Sequence, residues 1–295
     1  METKLDSKSR IQTDAEVLNA LLQQAIGLQS LGHLDAAELI YRRALKLAPR
    51  NADAHHLLGL ISKSRGEIPS AIAHISHAIS INPVEAVFYN NLSTCYLAQK
   101  DMVAAELCLN RALTLRPTYP DALNNLSVVL IGQERWSDAI DAIDKALSLQ
   151  PNHELSTCNR AKALCGQQQY EGSLMWCQKT LQINPKSTPA MFCGISCLTK
   201  LDRFDEALAM TELVSNVDPT LLPTAMEAKA NLLEVAGRMD EAKQALDRGL
   251  AVNPGGIELN YARSRIAKVK RDDPFFQCIR KSCSASRCCL VYMRD

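Results

Sequence analysis

Asparagine recurs in this chain at positions where a side-chain amide could do chemistry. Asn91, Asn125 and Asn159 follow one another at steps of 34 and 34 residues. Asn90 and Asn124 precede two of them, and His56 stands 34 residues before Asn90. A carboxamide both donates and accepts hydrogen bonds, so a ladder of them can hold the backbone of an extended peptide without reading its side chains. Asparagine costs a helix roughly half a kcal/mol against alanine. Its repeated placement within helical segments therefore points to a task, and Asn91, Asn125, Asn159, Asn90, Asn124 and His56 are the candidate peptide-binding residues. The same amides could instead bond neighbouring repeats or water, which is where most side-chain hydrogen bonds go.

Other reactive residue types give weaker patterns. His55, His56, His74 and His77 cluster in one stretch, and the last two have i, i+3 spacing. The two pairs fall on different helical segments, with no carboxylate or cysteine to complete a ligand set, so packing or surface roles are expected. Cys193 and Cys197 lie one helical turn apart, with Cys158, Cys165 and Cys177 nearby. Their slots pack within or between helices and read as core thiols. Cys278, Cys283, Cys288 and Cys289 contain no CxxC pair, so no zinc hairpin is expected. There is no phosphate-binding glycine loop, no GxSxG, no HExxH and no zinc deaminase pattern. The expectation is a chain without catalytic residues, metal or cofactor.

The elements that must carry these residues follow from a repeat. Pro49, Pro83, Pro117, Pro151, Pro185 and Pro219 each fall 34 residues after the last, and Pro254 follows after 35. Counting back gives units starting at 18, 52, 86, 120, 154, 188 and 223. One slot holds Ala37, Ala71, Ala105, Ala139, Ser173, Ala207 and Ala242. Three residues earlier stands a large apolar residue, Leu34, Ile68, Met102, Trp136, Tyr170, Phe204 or Met239. The eighth position is small in six units (Ala25, Gly59, Ser93, Ser127, Ala161, Ala230) and is Ile195 in the other. Apolar residues recur at helical spacing on both sides of a polar turn such as Leu31-Gly32-His33. The small slots let two antiparallel helices approach closely, and each proline ends the second helix.

The period, alanine slot and terminal proline resemble the tetratricopeptide repeat (TPR) family over about residues 18–256. The resemblance implies an all-α, right-handed α-solenoid of about seven TPR helix pairs, with a C-terminal capping helix and a concave groove lined by the first helices. It places the asparagine row in that groove. The usual tryptophan of the first helix is absent, and Thr180, Val214 and Gly249 replace the common alanine in the fifth to seventh units. Some TPR domains clamp a C-terminal carboxylate with cations; here Leu22, Val87 and Asn91 occupy those slots, which argues against that use. Tyr89-Asn90-Asn91-Leu92-Ser93 and Leu123-Asn124-Asn125-Leu126-Ser127 resemble the TPR regions of O-linked N-acetylglucosamine transferases. Ala262–Pro274 is similar to the junction in bacterial TPR–sulfotransferase fusions.

Around the array, 1–17 reads as a polar N-terminal segment, 257–274 as a capping helix, and 275–295 as a basic, cysteine-containing, partly disordered tail. Nine basic and three acidic residues lie from Arg263 onward, leaving 24 basic and 29 acidic upstream, for a net charge of +1. That balance, without an aromatic stacking pattern, argues against a nucleic-acid partner. Residues 1–13 lack a signal-peptide core, and no run of about 18 apolar residues suggests a membrane span. A cytoplasmic location with reduced thiols is expected. The expected function is a protein–protein interaction scaffold binding an extended peptide in the groove. The alternative is the substrate-recognition arm of a truncated or split transferase, a glycosyltransferase or sulfotransferase, lacking its catalytic domain.

Overall fold

The computed structural model describes the backbone of residues 2–267 and the side chains of residues 15–265. The tail beyond, with Cys278, Cys283, Cys288 and Cys289 and the end of the expected capping segment, lies outside the described residues. Among the described residues there are helices and no strands. The helices are α1 (Glu2–Ser30), α2 (Leu34–Leu47), α3 (Ala52–Ser64), α4 (Ile68–Ile81), α5 (Ala86–Ala98), α6 (Met102–Leu115), α7 (Pro120–Gly132) and α8 (Trp136–Leu149). They continue as α9 (Glu154–Gly166), α10 (Tyr170–Ile183), α11 (Thr188–Lys200), α12 (Phe204–Val217), α13 (Leu222–Val235), α14 (Met239–Val252) and α15 (Ile257–Ala267), with a 3-10 turn at Pro219–Leu221 before α13. The fold is all-α, an α-solenoid type built from consecutive helix pairs. The chain divides into two compact units, residues 1–151 and 152–295. No described helix is long and apolar enough to cross a membrane.

The boundaries follow the repeat. Every second helix from α2 to α14 opens on the large apolar slot, from Leu34 to Met239. Every one of them ends two residues before a proline. The residue between, such as Ala48, Arg116 or Asp218, has φ from −127° to −138°, outside the helical region, as the proline ring demands. The 35-residue step before Pro254 is taken up in α13, which has 14 residues where α11 has 13.

Within each pair the turn imposes one backbone constraint. Gly32, Gly66 and Gly237 have φ of 81°, 78° and 73°. At the same slot, Lys100, Glu134, Gln168 and Asp202 are held at 62°, 59°, 62° and 56°. The left-handed residue lets the chain close the first helix with paired backbone bonds, as in Lys100 N–H to Leu97 O (3.0 Å) and Asp101 N–H to Tyr96 O (2.9 Å). Side chains with a Cβ pay a steric cost for this that glycine avoids.

The small slots bring the paired helices together. Ala37, Ala71, Ala105, Ala139, Ser173, Ala207 and Ala242 have no solvent exposure. At Gly59 an added Cβ would sit 2.6 Å from Ile75 Cγ1. Ile195 breaks the small-residue rule, and its neighbour Gly194 takes over the close approach: a Cβ there would meet Met210 Sδ at 2.8 Å. In the first unit, Ala71, Ile75, Phe88, Leu92 and Cys95 form one buried cluster and Ala105, Leu109, Ala122 and Val129 another. In the second unit the core gathers Met191, Met226, Leu233, Leu246 and Leu259, so α15 covers the end of the last pair.

Two stability outcomes follow. Ala105→Leu overpacks a closed interface and should cost roughly 1–3 kcal/mol in a denaturation curve. Glu134→Gly relieves the left-handed strain and should raise stability by roughly 1 kcal/mol, since relief of the steric term outweighs glycine's backbone entropy here. An unchanged Ala105→Leu curve would contradict the helix register.

Candidate functional site

In the first unit the asparagine row is a bonded structure. Asn91 on α5 places Nδ2 2.8 Å from Nε2 of His56 on α3. Asn125 on α7 donates from Nδ2 to Oδ1 of Asn90 on α5 at 2.9 Å. The rule is the same in both cases: the sixth residue of one first helix bonds the fifth residue of the preceding one. Successive helical residues point about 100° apart, so the fifth-position side chains His56, Asn90 and Asn124 turn inward and are buried. Asn91 and Asn125 remain half-buried. Bonding between repeats, one of the two uses that the residue pattern allows, thus occurs at these two rungs. It consumes one amide hydrogen of each. The Oδ1 atoms of Asn91 and Asn125 have no hydrogen-bond partner among the described residues.

His56 is the electrostatic anchor of the row. Its ring packs 4.7 Å from that of Phe88, and burial pushes its pKa down to about 4. The imidazole is therefore neutral near pH 7, and Nε2 offers a lone pair to the Asn91 amide, with the proton on Nδ1. Burial pushes up the pKa of the nearby Tyr119 hydroxyl, and the Asn90 side chain works against that shift.

The second unit carries Asn159 on α9, buried, beside a hollow of about 200 Å³ lined also by Cys158, Lys162, Asn184 and Lys186. Asn184 braces this rim by donating to Glu154 Oε1 at 2.9 Å and accepting from the Lys186 N–H at 2.9 Å. The next position of the row, 34 residues beyond Asn159, is Cys193. There the sulfurs of Cys165, Cys193 and Cys197 converge. The mutual proximity of the three sulfurs pulls the Cys197 thiol below its usual range and pushes Cys165 and Cys193 above theirs. Spacing showed the Cys193–Cys197 pair, but Cys165 joins through helix packing that no local pattern announces.

The histidines of α3 and α4 do meet. The His55 ring lies 4.3 Å from His77, edge-on, and 6.2 Å from His74. His55 Nε2 is 3.1 Å from the Pro49 carbonyl oxygen. Among the described residues, however, the one group of three or more His, Cys, Asp or Glu side chains whose ligand atoms converge is the cysteine set.

Tetratricopeptide repeat models match residues 22–86, 86–119 and 120–153. Residues 22–153 are thus tetratricopeptide repeats, and α9 to α14 continue the same fold. Among solved structures, a tetratricopeptide repeat protein from Parabacteroides merdae ATCC 43184 has a TM-score of 0.68 at 15% identity, over 85% of this chain and 99% of that one. Pseudomonas aeruginosa pilF has 0.62 at 22% identity, over 70% of this chain and 94% of that one. PilW, a type IV pilus biogenesis factor, has 0.66 at 17% identity, over 71% and 97%. These likenesses establish the fold. Comparison with curated proteins finds no match. Tetratricopeptide repeats bind protein or peptide partners, so the repeats mark this chain as a protein-interaction scaffold of a generally non-catalytic fold.

The buried imidazole makes stability depend on pH. The folded-state pKa of His56, about 4, lies below its ordinary 6.5. Between these values the unfolded chain holds a proton that the folded chain lacks, so stability falls as pH drops through that window. The loss should approach about 3 kcal/mol near pH 4. Thermal melts at pH 7 and pH 4.5 should differ less for His56→Gln, which keeps an acceptor for Asn91 but does not titrate. Equal differences would show that His56 is not buried and neutral.

Proposed function

We propose that the asparagine row lies in a concave groove lined by the first helices and holds an extended segment of a partner protein. Asn91, Asn125 and Asn159 contact the peptide backbone. His56, Asn90 and Asn124 sit behind them and fix the orientation of the amides. The observation that carries this reading is the pair of half-buried Oδ1 acceptors at Asn91 and Asn125, set one repeat apart and aimed by bonds that use only Nδ2. An extended backbone presents N–H donors that such acceptors satisfy without regard to sequence. The partner is a protein rather than nucleic acid or membrane, in keeping with the net charge of +1. The chain works in the cytoplasm, where its thiols stay reduced, and acts without catalysis of its own.

Removing a single asparagine would strand a buried acceptor behind it and cost stability as well as binding. The cleaner variant is His56→Leu together with Asn91→Ala, which deletes both ends of one bond. A partner captured on the full chain is mapped to its bound segment, and a synthetic peptide of that segment is titrated. The double variant should melt close to the parent and bind the peptide roughly fivefold to tenfold more weakly, as expected for about one net hydrogen bond. Unaltered affinity would refute the role of the row.

A further inference from the structure

Three thiols of the second unit form a ligand set. Cys193 and Cys197 project one turn apart from α11, and Cys165, in the last turn of α9, meets them. All three Sγ atoms lie within 4.8 Å of one another. Cys197 is buried, while Cys165 and Cys193 are half-buried. An open hollow lined by Lys162, Cys165, Pro189, Phe192, Cys193 and Ser196 leads from solvent to two of the sulfurs. Beneath them, Ser173 Oγ lies 3.1 Å from Cys197 Sγ and 3.6 Å from Cys193 Sγ, and it donates to the Ala161 carbonyl at 2.7 Å. A packing role accounts for a buried thiol such as Cys177. It does not call for three sulfurs converging beside an open hollow.

We propose that Cys165, Cys193 and Cys197 form a three-thiolate site for a soft monovalent metal ion, Cu(I). Metal–thiolate bonds of about 2.3 Å in a trigonal arrangement put the sulfurs about 4 Å apart, which the observed cluster reaches with rotamer adjustments. The donors are sulfur alone, the set that soft ions prefer. Structural zinc takes four ligands, whereas three converge here and the Ser173 hydroxyl is engaged with a backbone carbonyl. On binding, three S–H bonds break and three Cu–S bonds form. The three protons leave to solvent, and the copper and sulfur oxidation states do not change. The complex carries two net negative charges, and Lys162 at the hollow offsets part of them. The site is independent of the peptide-binding reading.

The test uses the full chain with Cys278, Cys283, Cys288 and Cys289 changed to Ser, so that only the array thiols remain. The reduced protein is titrated anaerobically with Cu(I) in competition with the chelator bathocuproine disulfonate. One Cu(I) per chain should transfer to the protein, with a thiolate-to-metal absorption band in the ultraviolet. Alkylation mapped by mass spectrometry should show Cys165 and Cys193 protected by the metal, with Cys158 unaffected. Cys193→Ser should weaken binding by at least the roughly hundredfold that losing an outer-shell partner can cost. Should that variant lose its helical circular dichroism, the protection map on the tail-substituted chain decides by itself. Failure to take Cu(I) from the chelator, protection of other cysteines instead, or equally tight saturation of the same thiols by Zn(II) would each overturn the assignment.

Discussion

The close approach of two helices at one small side chain is the contact on which everything else here depends. In each pair the slot from Ala37 to Ala242 holds alanine or serine and is wholly buried. A helix pair is too small to bury its own apolar faces. It gains stability by stacking on a neighbour, so the geometry set inside one pair is inherited by the next. The left-handed residue in each turn serves the same geometry. Four non-glycine residues accept that backbone cost because the closed turn is required whatever side chain stands there.

That inheritance turns a sequence period into a spatial row. At both rungs of the first unit, the sixth residue of one first helix lies beside the fifth residue of the previous one. The array can therefore place chemistry at regular steps by choosing residue types. In the first unit it places carboxamides, and the bond from each amide to a buried acceptor behind it keeps polar atoms satisfied inside an otherwise apolar stack. His56 shows how far burial goes: the ring gives up its ordinary basicity and acts as a neutral acceptor. In the second unit that position holds Asn159 and then Cys193, so the row passes from a carboxamide to a thiol.

Much of this was legible in the residues themselves. Counting back from the prolines marked the starts of α3, α5, α7, α9 and α11 to the residue, because each proline fixes where the preceding helix must stop. The start of α13 fell at Leu222, one residue before the counted position 223, since the extra residue of that repeat is absorbed inside the helix rather than in the turn. The asparagine row was visible as a spacing, but its bonds were not. Which amide hydrogen points to which acceptor depends on how far one first helix slides along the next.

By itself the sequence determined the helix pairing, the turn positions and the row of amides, because these follow from local sterics and a period of 34 residues. Tertiary structure alone decided the partners. It set Asn91 against His56 and Asn125 against Asn90, gathered His55 with His74 and His77, and drew Cys165 to Cys193 and Cys197. The reason is physical: distances between side chains on different helices are set by the packing offset of those helices, which no local residue pattern encodes.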